Sequence, residues 1–158
     1  CQLASIPWTS NTFMFTATTG AAASLFEGRT IHDVAFLCGK DENISDEMRK
    51  QWQEVMILII DEMSFFTRYN VEKLDRRLKQ MTGRYDVPYG GISIVWTGDF
   101  HQLRPVACQK EGALYEGAKN GLFEGSINVA IFLEESHRFD DDPRFGDLLK
   151  RLWKGEMT

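Results

Sequence analysis

Val55-Met56-Ile57-Leu58-Ile59-Ile60-Asp61-Glu62-Met63-Ser64 decides the fold. Six consecutive apolar residues, mostly β-branched or leucine, predict a strand buried on both faces. Two carboxylates follow at its C-terminal end. Ligands of open α/β sheets sit beyond the carboxyl ends of the strands, so Asp61 and Glu62 predict the rim of a pocket. Asp61 suits a magnesium ion, held directly or through water, because Mg²⁺ takes oxygen ligands and keeps several waters. Glu62 suits the activation of an attacking water. The plainer alternative is a buried strand running into a solvated acidic turn.

This order of residues is the Walker B pattern of nucleotide hydrolases, and the design repeats downstream. Gly90-Gly91 precedes a second apolar run over 92–97, which ends in Gly98-Asp99-Phe100-His101-Gln102-Leu103-Arg104-Pro105-Val106. Gln102 suits a hydrogen bond to a γ-phosphate or to the attacking water, and Asp99 suits the water shell of the metal. A third run, 127–133, predicts another strand and leads into Glu134-Glu135-Ser136-His137-Arg138-Phe139. The planar, permanently charged fork of Arg138 suits phosphate oxygens. A salt bridge to Glu135, Asp140 or Asp141 is the other reading of that arginine.

Upstream, 11–16 predicts a strand running into Ala17-Thr18-Thr19-Gly20-Ala21-Ala22-Ala23-Ser24, a loop followed by a short helix. Such a helix start can hold a phosphate, or Thr19 can simply cap it. Thr30 predicts a cap for a helix carrying Ile31, Val34, Ala35 and Leu37; within it, His32 reads as a packed or surface histidine or as a functional one. Ser45 predicts a cap for a helix over 46–54. Val71, Leu74, Leu78 and Met81 form one helical face. Glu72, Lys73, Asp75, Arg76, Arg77 and Lys79 fill the rest as a solvated face, and Gly83 is the stop. A short helix is expected within 112–118. Asp142 and Pro143 open a last helix with an apolar stripe of Phe145, Leu148, Leu149, Leu152 and Trp153, for core or interface packing, and Gly155 ends it. Four strands alternating with helices predict one parallel α/β sheet.

With 158 residues, the chain is long enough for one domain with its own core. Its 43% apolar and 26% charged content fit a soluble globular protein, and no run of about 18 apolar residues predicts a membrane span. Cys1, Cys38 and Cys108 are far apart and form neither a zinc nor a disulfide pattern, which fits a reducing, intracellular setting. A net charge of −5 argues against a broad basic surface, so any DNA contact is expected in a local groove or with other parts of a longer protein. The missing initiator Met and the abrupt end suggest a piece of a longer chain.

From about Thr12 to Thr158 the chain resembles the Pif (petite integration frequency) family of superfamily-one DNA helicases. The Thr-Ala-Thr-Thr-Gly-Ala-Ala-Ala segment resembles motif Ia, and Gly28, Thr30 and His32 resemble the family's G-x-T-x-H segment. Asp61-Glu62-Met63-Ser64 resembles motif II. Gly90-Gly91 with Gly98 to Val106 resembles motif III, and Glu135-Ser136-His137-Arg138-Phe139 resembles motif IV. It is the five motifs in this order that carry the resemblance.

The resemblance implies a P-loop NTPase, RecA-like parallel sheet flanked by helices. It implies an ATP-driven helicase moving 5′ to 3′ on single-stranded DNA, with duplex junctions as further partners and roles in repair, recombination or telomere maintenance. It also implies a nuclear or mitochondrial location if the source is eukaryotic. Asp61 would bind Mg²⁺, Glu62 would activate water, Gln102 would sense the γ-phosphate of ATP, and Arg138 would stabilise charge on it. Thr18, Thr19 and His32, with Arg104 and Pro105 of the Gln-Leu-Arg-Pro-Val stretch, would face the DNA strand.

The sequence departs from the family in three places. No Gly-x-x-x-x-Gly-Lys-(Ser/Thr) loop occurs in these 158 residues, the later motifs expected of a second RecA-like domain do not occur in them either, and His137 stands where many relatives have Phe. The chain therefore reads as most of the first RecA-like domain, with a gap in its sheet between 92–97 and 127–133. Two other functions compete: a metal-dependent nuclease using Asp61, Glu62 and Asp99, and a non-catalytic DNA-binding domain derived from a helicase. Without the phosphate-wrapping loop, the 158-residue chain by itself is expected neither to bind ATP tightly nor to unwind DNA. ATP turnover well above that of a Glu62→Gln control in the same purified chain contradicts this.

Overall fold

The structure is a computed structural model and describes residues 11–38, 44–105, 112–116, 121–133 and 139–156. The chain divides into two compact units, Cys1–Ser126 and Ile127–Thr158. Among the described residues no helix is long and apolar enough to cross a membrane.

The first unit is a parallel sheet with helical crossovers. In chain order it contains β1 (Phe13–Ala17), α1 (Gly20–Ser24), β2 (Arg29–Thr30), α2 (Ile31–Val34), α3 (Asp46–Glu54) and β3 (Ile57–Asp61). A 3₁₀ turn over Met63–Phe65, α4 (Arg68–Thr82), β4 (Ser93–Trp96) and α5 (Leu122–Ser126) follow. The strands lie in the order β2-β1-β3-β4 and every neighbouring pair is parallel. Ile57 pairs with Phe13 on one side and with Ser93 on the other, and Ile60 pairs with Thr16 and Trp96. All four strands therefore deliver their C-terminal ends to one rim.

The parallel α/β architecture matches the sequence expectation, but one of its four strands is different. β2 is a two-residue strand, too short to show a period, and it exists because Thr16 and Ala17 pair with Arg29 and Thr30. Residues 127–133 form no strand among the described residues; they are irregular, with Ile131, Phe132 and Leu133 more than 80% exposed. Apolar content gave that segment its strand-like look, but a strand needs a partner to satisfy its backbone groups.

The helix starts follow the sequence closely. The hydroxyls of Thr19, Thr30 and Ser45 accept from the backbone N–H groups of Ala22, Asp33 and Met48 at 3.2–3.3 Å. Thr67 caps α4 in the same way through Asn70, one turn before the apolar residues that marked the helix. Gly83 ends α4 in the left-handed region at φ 73°. In the second unit α6 (Pro143–Lys154) is capped by Asp142 on Phe145 N, and Gly155 terminates it. None of its residues is buried: Phe145, Leu148, Leu152 and Trp153 of the apolar stripe are exposed and Leu149 is partly covered, so the stripe packs into no core among the described residues.

The core lies on one face of the sheet. Leu58 and Ile60 of β3 meet Val71, Leu74, Leu78 and Met81 of α4, all 0–1% exposed. The expectation that β3 is buried on both faces is corrected: only Leu58 and Ile60 are buried along it, and Ile57 and Ile59 are partly covered. Phe15 and Val95, at 53% and 44% exposure, show that the neighbouring strands also have an open face. The continuous apolar run encodes a two-sided burial that the described residues provide on one side only.

The solvated face predicted for α4 also needs correction, because Asp75 and Arg77 are buried. Asp75 is turned inward by a specific task. One oxygen accepts from Tyr89 N at 2.7 Å, and the other pairs with Lys79 at 2.8 Å. Tyr89 and Gly90 stand in left-handed conformations at φ 52° and 61°. A Cβ on Gly90 would come within 2.8 Å of the Leu78 carbonyl oxygen, so the turn before β4 fits against α4 only with glycine there. Burial pushes the Tyr89 phenol up to about 12, so it stays neutral beside Ser126. Replacing Asp75 with Ala strands the buried Tyr89 N–H, and the loss in unfolding free energy should be about 1–3 kcal/mol. Asp75→Asn, which keeps an acceptor, should lose less; equal losses in urea unfolding would show that the bond to Tyr89 is not what holds this turn.

Candidate active site

The rim is assembled from the ends of adjacent strands. β2 leads into His32, β1 into Thr18 and Thr19, β3 into Asp61 and Glu62, and β4 into Asp99 and Gln102. Residues tens of positions apart in sequence thus share one edge of the sheet. The β3–β4 ladder puts the motif III run directly beside the acidic strand.

Asp61 and Glu62 are held by backbone geometry as well as by side chains. Glu62 occupies the left-handed region at φ 57°, ψ 44°, which is uncommon for a residue with a long side chain. Thr18 donates its hydroxyl to the Glu62 carbonyl at 2.7 Å and its N–H to the Asp61 carbonyl at 3.0 Å. From the other side, Met63 N donates to the Thr97 carbonyl at 2.9 Å. Gly98, at φ 144°, leaves the space this turn occupies; a Cβ there would lie 2.9 Å from Met63 N.

Thr97 donates its hydroxyl to Oδ1 of Asp61. The second oxygen, Oδ2, accepts no hydrogen bond from the described residues. Oε2 of Glu62 is buried and also has no hydrogen-bond partner among the described residues. A buried carboxylate oxygen without a donor is costly, and at a strand-end rim it marks a place for a polar ligand. The donor set is oxygen only, which fits a hard divalent cation such as Mg²⁺. That ion takes one or two protein carboxylates, and water and phosphate oxygens complete its octahedron.

The other expected residues are placed as follows. Asp99 turns Oδ1 to His101, accepting from its backbone N at 2.9 Å and meeting Nδ1 at 3.0 Å. Gln102 follows in the same turn, its N–H bonded to the Asp99 carbonyl at 3.2 Å, with an exposed side chain. Thr19 uses its hydroxyl to cap α1. His32 is half-buried, with its ring 5.5 Å from Phe66 and Nε2 3.4 Å from Asn70 Nδ2. Arg104 is exposed, lies 5.6 Å over the Tyr115 ring and pairs with Glu116 at 3.3 Å. Pro105 is buried. Arg138 lies outside the described residues.

No group of three or more His, Cys, Asp and Glu side chains converges among the described residues. The nuclease arrangement of Asp61, Glu62 and Asp99 around two metals is therefore not formed there. Sequence reading missed Thr97 as a partner of Asp61, although its place just before Gly98-Asp99 on a parallel neighbour was a usable signal. It also missed a run of aromatic rings beneath the rim. Phe66, Trp96, Phe123, Phe100 and Tyr115 follow one another at 5.3–6.5 Å between centroids, linking His32 at one end to Arg104 at the other.

Comparison with known proteins agrees with the fold. The sequence pattern of the PIF1-like helicase family matches residues 2–138. The ATP-dependent DNA helicase PIF1 of Candida albicans is 31% identical over 159 residues, covering 90% of this chain and 17% of that protein. The ATP-dependent DNA helicase RRM3 of Saccharomyces cerevisiae is 29% identical over 167 residues, covering 99% of this chain and 23% of that protein. The chain thus spans about a fifth of the length of these curated relatives. The crystal structure of the Candida albicans Pif1 helicase superposes with a TM-score of 0.77 at 32% identity, over 90% of this chain and 34% of that one. The Bacteroides Pif1 helicase in complex with ADP-AlF3 and single-stranded DNA superposes at 0.79 over 97% of this chain and 39% of that one; at 20% identity it speaks for the fold alone. A family match across most of the sequence, on a sheet whose ends carry the expected motifs, places this chain in the PIF1-like helicase family.

Proposed function

We propose that the chain is part of an ATP-dependent DNA helicase, and that its rim handles the triphosphate end of ATP. The observation that carries this reading is the pair Asp61 and Glu62 at the end of β3, beside the end of β4, each with a carboxylate oxygen left without a hydrogen-bond donor. Family membership and the ATP-dependent DNA helicases among its relatives support it.

Asp61 would hold Mg²⁺, directly or through water, and Oδ2 is the oxygen it has free for that. When bound, that ion neutralises charge on the phosphates and orients them. Glu62 takes a proton from the attacking water, and the burial of Oε2 keeps that oxygen from being solvated away from the task. Gln102, exposed in the turn after β4, senses the γ-phosphate, and Arg138 stabilises the charge that develops on it. Single-stranded DNA and duplex junctions are the partners, with Thr18, Thr19, His32 and Arg104 along the DNA-facing edge. Pro105, being buried, acts by fixing the backbone that presents Arg104. The hydroxyl of Thr18 is already donated to Glu62, so its contribution is a link between the DNA-facing loop and the acids. Movement is 5′ to 3′ and serves repair, recombination or telomere maintenance inside the cell, in the nucleus or mitochondrion of a eukaryote.

In the full-length protein, Glu62→Gln should lower ATP turnover stimulated by single-stranded DNA by roughly 10²–10⁴-fold, the range for loss of a general base, while nucleotide and DNA binding persist. Turnover within a few-fold of the unaltered protein removes Glu62 from the reaction. Unwinding of a partial duplex with a 3′ tail in preference to a 5′ tail reverses the polarity.

A further inference from the structure

We propose that Thr97 is a positioning residue for the metal-binding carboxylate; this rests on the reading of Asp61 given above. Three hydrogen bonds fix Thr97. Its N–H donates to the Ile60 carbonyl at 3.0 Å, its carbonyl accepts from Met63 N at 2.9 Å, and its hydroxyl donates to Oδ1 of Asp61. The first two tie its backbone to both sides of the acidic turn. The residue is β-branched, and its side chain has few accessible rotamers. The hydroxyl therefore sits at a point set by the sheet ladder and not by a mobile loop.

An aspartate carboxylate by itself rotates freely about its last bond. With Oδ1 anchored, the plane of the group is fixed and Oδ2 is the oxygen left for a ligand. Mg²⁺ demands near-ideal octahedral geometry, and partners that orient metal ligands from behind typically change affinity by about 10–100-fold. The hydroxyl of Thr97 is spent on Asp61. Its effect passes through Asp61.

The test uses the full-length protein with a non-hydrolysable ATP analogue, with Mn²⁺ as the probe and its affinity read by electron paramagnetic resonance. Thr97→Val keeps the shape and strand preference but removes the hydroxyl, Thr97→Ala removes hydroxyl and branch together, and Thr97→Ser restores the donor. Both hydroxyl-free variants should weaken Mn²⁺ binding by about tenfold or more, with melting midpoints close to the unaltered protein, and Thr97→Ser should stay within about twofold of it. Their ATP turnover should fall at limiting metal and recover at saturating metal. Unchanged Mn²⁺ affinity in the Val and Ala variants overturns the proposal, and so does a Ser variant as weak as Val. Asp61→Asn separates the two levels. If it weakens Mn²⁺ binding while the Val and Ala variants do not, only the role of Thr97 fails; if it leaves binding unchanged, the assignment of Asp61 fails and that of Thr97 falls with it.

Discussion

The structure depends on how the backbone turns between Asp61 and Met63. A left-handed glutamate costs about 1–2 kcal/mol relative to an ordinary helical or extended residue. Here that cost is met from both sides: Thr18 binds the two carbonyls, Thr97 accepts from Met63 N, and Gly98 withdraws a side chain that would collide. β1 and β4 must flank β3 for these groups to arrive together. The strand order is thus tied to one strained residue at the point where the chemistry is expected.

Much of the fold was legible because its signals are local. Thr19, Thr30, Ser45 and Asp142 each cap the helix that their position announced, and Gly83 and Gly155 end helices as left-handed residues. The parallel sheet followed from apolar runs alternating with helical patterns. What escaped notice depends on the partner and not on the segment. β2 is a strand only because β1 lies beside it, residues 127–133 have the composition of a strand without a ladder among the described residues, and Asp75 and Arg77 look like surface charges until the turn at Tyr89 is seen packed on α4.

The candidate site divides in the same way. Asp61, Glu62, Asp99 and Gln102 could be read from sequence because each follows an apolar strand, and the sheet brings those strand ends to one rim. The hydrogen bonds that orient them could not. Thr18 looks like a residue for a phosphate or a DNA strand, yet its hydroxyl is given to Glu62. Thr97 looks like an ordinary strand residue, yet it anchors Asp61. Small hydroxyl side chains have several possible partners, and only the register of the sheet chooses among them.

The rim contacts also constrain how the protein acquires its structure. Thr18 and Glu62 are 44 positions apart, and Thr97 and Asp61 are 36 apart. Closing loops of that length carries a length-dependent entropic cost of roughly 3 kcal/mol each, and parallel pairing between distant segments is intrinsically slow. A short peptide bearing Asp-Glu-Met-Ser has no rudimentary version of the site, because the left-handed turn has no neighbours to hold it. Maturation of the acids is coupled to closure of the entire sheet, and a nascent chain halted before β4 emerges holds the two carboxylates without the Thr97 hydroxyl that donates to Asp61.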